Sequence, residues 1–174
     1  MEMNYCMHCG TRLTLRPHGA EGELPYCEGC GAFRHPVFNI AVSMVVTDEG
    51  GEKILLIRQY GRPHYILVAG YVERGEDAEE TCARELREEL GLTALRVRFN
   101  RSRYFAPSNT LMLNYTVTVS KDEPPRPNGE IDDWRWFSIE QARGNIRPGS
   151  LASAFLNGYL TGTYEFCPPP MLSS

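Results

Sequence analysis

No run of uncharged apolar residues in the 174-residue sequence approaches the roughly 18 needed to cross a bilayer. The start, Met1-Glu2-Met3-Asn4, also lacks the positive flank and apolar stretch of a signal peptide. Both absences point to a soluble, cytoplasmic protein with no membrane partner. Excess positive charge is missing as well: the net charge is −4, and within the first 36 residues Arg12, Arg16 and Arg34 are set against Glu2, Glu21, Glu23 and Glu28. That leaves no basic footprint for general nucleic-acid binding. There is no internal repeat. There is no disulfide framework either, because four of the six cysteines form two CxxC pairs while Cys82 and Cys167 are solitary, a pattern of reduced or metal-bound thiols.

What is present suffices for one full-sized core plus a small satellite, given 42% hydrophobic residues. Residues 1–36 are short of apolar side chains and need something other than burial to hold them. From Phe38 the pattern changes. Ile40–Val46 and Lys53–Arg58 are strand-like around the turn Asp48-Glu49-Gly50-Gly51, and they predict a hairpin. Ile66–Val68 is a short strand, and Asp77–Leu90 is the clearest helix, closed by Gly91. Strands are expected at Ala94–Phe105, Leu111–Val119 and Trp134–Phe137. The proline-bearing segment Lys121–Gly129 is expected as a surface loop, Ser150–Leu160 as a last helix, and residues 166–174 as an irregular tail.

Cys6-Met7-His8-Cys9 and Cys27-Glu28-Gly29-Cys30 are separated by 17 residues, the spacing of a four-cysteine zinc ribbon. Four thiolates complete a tetrahedron with no open position, so zinc here would be structural and stabilise folding. His8 could replace one sulfur or simply face solvent from its turn.

Winding Asp77–Leu90 at ~100° per residue gathers Glu85, Glu88 and Glu89 in one sector, beside a buried stripe of Ala78, Cys82, Ala83, Leu86 and Leu90. Like charges at these spacings repel unless a cation sits among them. Oxygen-only ligands at the edge of a core suit Mg²⁺ or Mn²⁺, which activate water for attack on phosphorus. Charge alone leaves a second reading, a solvated acidic face offset by Arg84 and Arg87.

The whole stretch decides between them. Gly70-Tyr71-Val72-Glu73-Arg74-Gly75-Glu76, seven residues, then Arg84-Glu85-Leu86-Arg87-Glu88-Glu89-Leu90-Gly91-Leu92 fills every specified position of the Nudix box. The chain therefore resembles the Nudix hydrolases over about residues 38–165. The resemblance implies an α/β fold, a Nudix α/β/α sandwich, here over residues 37–165 behind an N-terminal zinc ribbon at 1–36. It also implies catalytic, metal-binding Glu85, Glu88 and Glu89, and an ion pair between Glu76 and Arg84. The general base varies within the family, and Glu85 is the favoured candidate.

Within the family the chain is most similar to the zinc-ribbon NADH pyrophosphatases. That similarity implies a metal-ligating carbonyl at Ala69, a further metal glutamate at Glu130, an aromatic at Tyr71 that stacks on substrate, and a substrate contact at Ala152 in Gly149-Ser150-Leu151-Ala152. The subfamily's S-Q-P-W-P-F-P-x-S array is matched only in part by Ser102–Thr110. Arg103, Phe105 and Thr110 fall at its substrate-contacting positions, while the glutamine and the aligned prolines are lost. His35-Pro36-Val37 stands where the subfamily has Tyr-Pro-Arg.

The expected activity is metal-dependent hydrolysis of NADH or NAD⁺ to nicotinamide mononucleotide and AMP, by a homodimer acting on a small nucleotide. Alternatives are ADP-ribose, a dinucleoside polyphosphate, a nucleoside triphosphate or an NAD-capped RNA as substrate. A further alternative is a nucleotide-sensing module that binds without cutting.

Overall fold

The computed structural model describes residues 3–162, so the irregular tail expected at 166–174, with Cys167, lies outside the described residues. Two sheets form. The first is small: β1 (Thr14–Pro17), β2 (Glu23–Cys27) and β3 (Ala32–Phe33) pair antiparallel in that order. No apolar periodicity announces these strands, because β1 is exposed throughout and the unit is held by its cysteine turns and by local contacts. Arg16, for example, lies 4.1 Å over the Tyr26 ring and donates to Glu28 at 2.6 Å.

The second sheet holds β4 (Asn39–Thr47), β5 (Lys53–Gln59), β6 (Val68–Tyr71), β7 (Ala94–Phe105), β8 (Thr110–Val119) and β9 (Ile131–Ser138). Its order is β7-β8-β4-β5-β9, with β6 paired to β4 off that path. β4 is central and runs parallel to β8 along its whole length, from Asn39 opposite Thr110 to Thr47 opposite Thr118. The expected β4–β5 hairpin exists only next to its turn, at Val46–Leu55 and Thr47–Ile54. β5 is paired along its other edge to β9 throughout, from Lys53 opposite Ser138 to Gln59 opposite Ile131, and beyond Leu55 it diverges from β4, whose edge β6 takes over from Ala41 to Met44. The sheet is thus forked at β4, a long-range feature that local alternation does not encode.

Helices cover both faces, giving an α/β arrangement. α1 (Ala78–Leu90) lays Cys82, Leu86 and Leu90 against Val42, Met44, Val68 and Val117, all inaccessible to solvent. Burying each leucine contributes roughly 2 kcal/mol. The helix starts where Glu80 accepts the Asp77 N–H at 3.1 Å. It stops at Gly91, whose φ of 65° lets the Leu92 N–H return to the Leu86 carbonyl at 3.2 Å.

Thr81 replaces Ala78 as the deepest residue of its first turn, because its hydroxyl is satisfied by Glu76 at 2.8 Å. On the opposite face α2 (Ile139–Asn145) and α3 (Leu151–Thr161) seat Ala142, Phe155 and Leu156 on Val45, Ile54 and Leu56. α2 was not anticipated. Its sequence signal is the reciprocal cap in which Ser138 and Gln141 bond each other's backbone N–H, at 3.3 and 3.1 Å. Among the described residues no helix is long and apolar enough to cross a membrane.

Candidate active site and metal centres

The box glutamates sit where α1 faces the edge strand β6. Gly70 makes that approach possible: a Cβ there would lie 2.0 Å from the Glu85 carboxyl carbon. Arg84 organises the surroundings. Its Nε donates to Glu76 at 2.6 Å, its Nη1 to Glu85 at 2.9 Å and Glu88 at 3.1 Å, and its Nη2 to the Tyr71 carbonyl at 3.0 Å. The Arg84 hydrogen bond, helped by Thr81, holds Glu76 down at about 2, so it is a permanent anion and a structural partner.

The three box carboxylates differ in exposure. Glu88 is in water, with 58% of its side chain accessible, whereas Glu85 keeps 12%. Burial pushes the Glu85 carboxyl upward against the opposing hydrogen bond and charge of Arg84. Glu89 is only 6% exposed, and burial followed by the Glu85 charge raises it to about 7. Its Oε1 accepts one bond, from Gln59 at 3.3 Å, while Oε2 is buried with no hydrogen-bond partner. An orphaned buried carboxylate oxygen next to a second half-buried carboxylate is a donor set that fits a hard divalent cation.

Glu130 stands on the loop before β9 and accepts from the Tyr60 hydroxyl at 2.9 Å. Gln59 and Tyr60, which tie Glu89 and Glu130 to the end of β5, escaped the sequence reading, since they lie 30 and 70 residues from their partners. The box carboxylates are not drawn to a single point. Among the described residues, only the cysteines bring at least three candidate ligand atoms within 4.8 Å of one another.

Those cysteines are Cys6, Cys9, Cys27 and Cys30. Each CxxC pair ends in a glycine with positive φ, Gly10 at 74° and Gly31 at 65°, whose N–H closes the turn on the carbonyl of Cys6 or Cys27. Two matching turns thereby aim their sulfurs inward, with Cys9 3.4 Å from Cys27 and 3.3 Å from Cys30. Burial opposes ionisation of Cys6, but the Arg34 Nε–H, donated at 3.2 Å, and the backbone N–H groups of His8 and Cys9 bring it down to about 5. Four sulfurs at this spacing, one poised as thiolate, fit tetrahedral zinc. His8 is exposed and outside the cluster. Cys82, buried under α1, is pushed up to about 12 by burial and is an inert core thiol.

The residues expected to contact substrate divide into two groups. Arg103 pairs with Met112, Met112 with Ala41, and Ala41 with Tyr71, so all four share one row. Met112 packs on the α3 side, which places Tyr71 and Arg103 on that face about 14 Å apart across three strand spacings. Tyr71 is 57% exposed. Arg103 and Phe105 line an open cleft of about 450 Å³ with Gly149, Ser150 and Leu151. Ala152, half-buried, packs on the neighbouring core, and Ala69 is exposed on β6. Thr110 is different: it is 1% exposed and its hydroxyl donates to the Ser108 carbonyl at 3.0 Å, so the structure does not bring it to the cleft.

The fold and the box helix define the class, and the chain belongs to the Nudix family: the NUDIX domain matches residues 37–154. Its relatives make the likeness more particular. The chain is 32% identical over 160 residues to the NAD-capped RNA hydrolase NudC of Stutzerimonas stutzeri (strain A1501), an alignment covering 90% of this chain and 55% of that protein. It is 29% identical over 158 residues to the protein of the same name from Pseudomonas aeruginosa (strain LESB58), with the same two coverages. The chain thus spans about half the length of these relatives. A Nudix hydrolase structure from Nitrosomonas europaea superposes with a TM-score of 0.63 at 21% identity, over 95% of this chain and 97% of that one. A MutT structure from the study of Aliivibrio salmonicida and Vibrio cholerae gives 0.59 at 20% identity, over 71% and 96%. At these identities the structural likeness shows the fold alone.

Proposed function

We propose that the chain hydrolyses the pyrophosphate linkage of a nicotinamide dinucleotide, NADH or NAD⁺, to nicotinamide mononucleotide and AMP. The observation that carries the hydrolytic reading is Glu89, a buried carboxylate with an unpartnered oxygen beside Glu85. In this reading Glu85, Glu88 and Glu89, with Glu130 and the Ala69 carbonyl, hold Mg²⁺ or Mn²⁺. When bound, such ions lower the pKa of the attacking water and neutralise the departing phosphate. Water adds to one phosphorus as the bridging P–O bond breaks, and the leaving phosphate takes the electron pair. Arg84 fixes the orientation of Glu85 through its bond at 2.9 Å, and Gln59 fixes that of Glu89. Glu85 is the favoured general base.

Tyr71 and Phe105 would stack on the base rings, with Arg103 near a phosphate or ribose and Ala152 beneath. The kinship with NudC supports the dinucleotide, and the open cleft at Arg103 and Phe105 supports a flat, partly exposed ring. The name of those relatives also favours a second reading, removal of an NAD cap from RNA, which breaks the same bond. Residues 1–36 are assigned as a zinc ribbon and 37–165 as the hydrolase domain, in a homodimer.

The test incubates zinc-replete protein with NADH, NAD⁺, ADP-ribose, diadenosine polyphosphates, nucleoside triphosphates and an NAD-capped RNA, each with Mg²⁺ or Mn²⁺, and resolves the products by chromatography. AMP with reduced nicotinamide mononucleotide, formed fastest from NADH, is the expected result. Preference for another compound redirects the substrate assignment to it, and binding without turnover of any would move the chain to the sensing reading.

A further inference from the structure

A cleft of about 590 Å³ opens on the far side of Gln59 and Tyr60 from Glu89 and Glu130, and its arginines have no role assigned so far. It is lined by Gln59, Tyr60, Arg62, His64, Ile66 and Arg147, and its volume is that of a ligand site. Two features make it more than a surface dent. First, its wall is pre-organised. Tyr60 and Gly61 turn with φ of 56° and 66°, and three acidic residues, one just before β9 and two at its start, grip the segment: Glu130 takes the Tyr60 hydroxyl, Asp132 the Gly61 N–H at 2.6 Å, and Asp133 the Tyr65 hydroxyl. Arg147 is fastened to the same segment, its N–H donating to the Tyr65 carbonyl at 3.0 Å.

Second, no ion pair among the described residues involves Arg62 or Arg147, and the ion pairs of nearby Asp133 are made with Arg58 and Arg135. Two guanidinium groups and an imidazole therefore face a rigid cleft. That cleft lies one side chain, Gln59 or Tyr60, away from Glu89 and Glu130. Guanidinium groups recognise phosphate through forked, charge-assisted hydrogen bonds.

We propose that this cleft is a subsite for a phosphate group of the substrate beyond the two that flank the scissile bond, with Arg62 and Arg147 as its specificity-determining contacts. The proposal rests on the pyrophosphohydrolase reading above. Such a phosphate is either the next member of a polyphosphate chain or the first phosphodiester of a capped oligonucleotide. Free NADH has neither.

The experiment compares the wild type with the Arg62→Ala/Arg147→Ala double variant on NADH, diadenosine tetraphosphate and a short NAD-capped oligoribonucleotide. The expected result is an unchanged kcat and KM for NADH, with KM raised about tenfold or more for the compound whose extra phosphate reaches the cleft. Which of the two compounds responds identifies the source. Equal changes on all three, or on none, would overturn the subsite.

A binding arm separates this failure from failure of the hydrolytic reading. The anisotropy of a 3′-fluorescein oligoribonucleotide bearing a 5′-triphosphate is measured against salt concentration, with Mg²⁺ present. Loss of both arginines should weaken binding and lower the log–log salt slope by about 0.7, the value for one phosphate of a single strand. If no compound is turned over but this slope falls, the subsite stands and the hydrolytic reading fails. An unchanged slope and affinity removes the subsite whatever the enzyme cuts.

Discussion

Replacing Glu89 with Gln should make the protein more stable at neutral pH when no divalent ion is added. The folded chain holds this carboxyl at about 7, against an ordinary value of 4.5, chiefly through burial and then through the Glu85 charge. Folded protein therefore binds a proton more readily than unfolded chain between those two values. Stability contributed by the neutral form is full below pH 4.5 and declines as pH rises to 7. The rise from 4.5 to about 7 corresponds to about 3 kcal/mol. For a chain of this size that is on the order of 6–12 °C in Tm.

Glutamine keeps the shape and cannot ionise. The Tm difference between Glu89→Gln and wild type should thus be small at pH 5 and grow to its full size by pH 8. Because every other titrating group is shared, the difference reports Glu89 together with its charge coupling to Glu85. Scanning fluorimetry from pH 5 to 8.5, on zinc-loaded protein without Mg²⁺, measures it. Adding Mg²⁺ or Mn²⁺ at pH 8 should raise the wild-type Tm and leave the variant almost unmoved. Parallel pH profiles for the two proteins would refute the argument, since they would mean that Glu89 is ionised at no cost in the metal-free fold.

Three further outcomes test the rest of the site. Gly70→Ala places a methyl group against the flexible end of Glu85, so the fold should survive by circular dichroism while kcat falls by about 100-fold, the upper range for losing ligand orientation. Arg84→Lys cannot reproduce a fork that reaches Glu76, Glu85, Glu88 and the Tyr71 carbonyl, and should raise the Mg²⁺ concentration needed for half-maximal turnover by about tenfold or more. Elemental analysis should find one zinc per chain, lost in Cys27→Ser, and the variant's circular dichroism should change in the ribbon strands; a metal-free wild type with an unchanged spectrum would remove the zinc assignment.

The extent to which the sequence anticipated this structure follows from how local each cause is. α1 was legible to within a residue because its cap, stripe and terminating glycine all lie within the segment, and β7 and β8 because their alternation is long. β6 was expected at Ile66–Val68 but runs from Val68 to Tyr71, since its partner is the far half of β4. α2 is too short to show a period, and only Ala142 of it is buried. In the site, the acidic helix and both cysteine turns could be read from spacing. The burial of Glu89, the contacts of Gln59 and Tyr60, and the withdrawal of Thr110 depend on segments that meet only after folding.

The fork at β4 has a consequence for how such a molecule can diverge. Since β5 and β6 meet one edge of β4 at separate places, Val46–Thr47 and Ala41–Met44, the chain between them lies outside the β4 ladders, and its exposed stretch from Arg62 to His64 can lengthen or shorten at little entropic cost between the anchored Gly61 and Tyr65. The β4–β8 ladder and the seat of α1 would keep their registers. Arg62, half of the proposed subsite, thereby sits on a stretch whose length can vary between fixed ends, while the residues expected to do the chemistry stay on α1 and the strands that seat it.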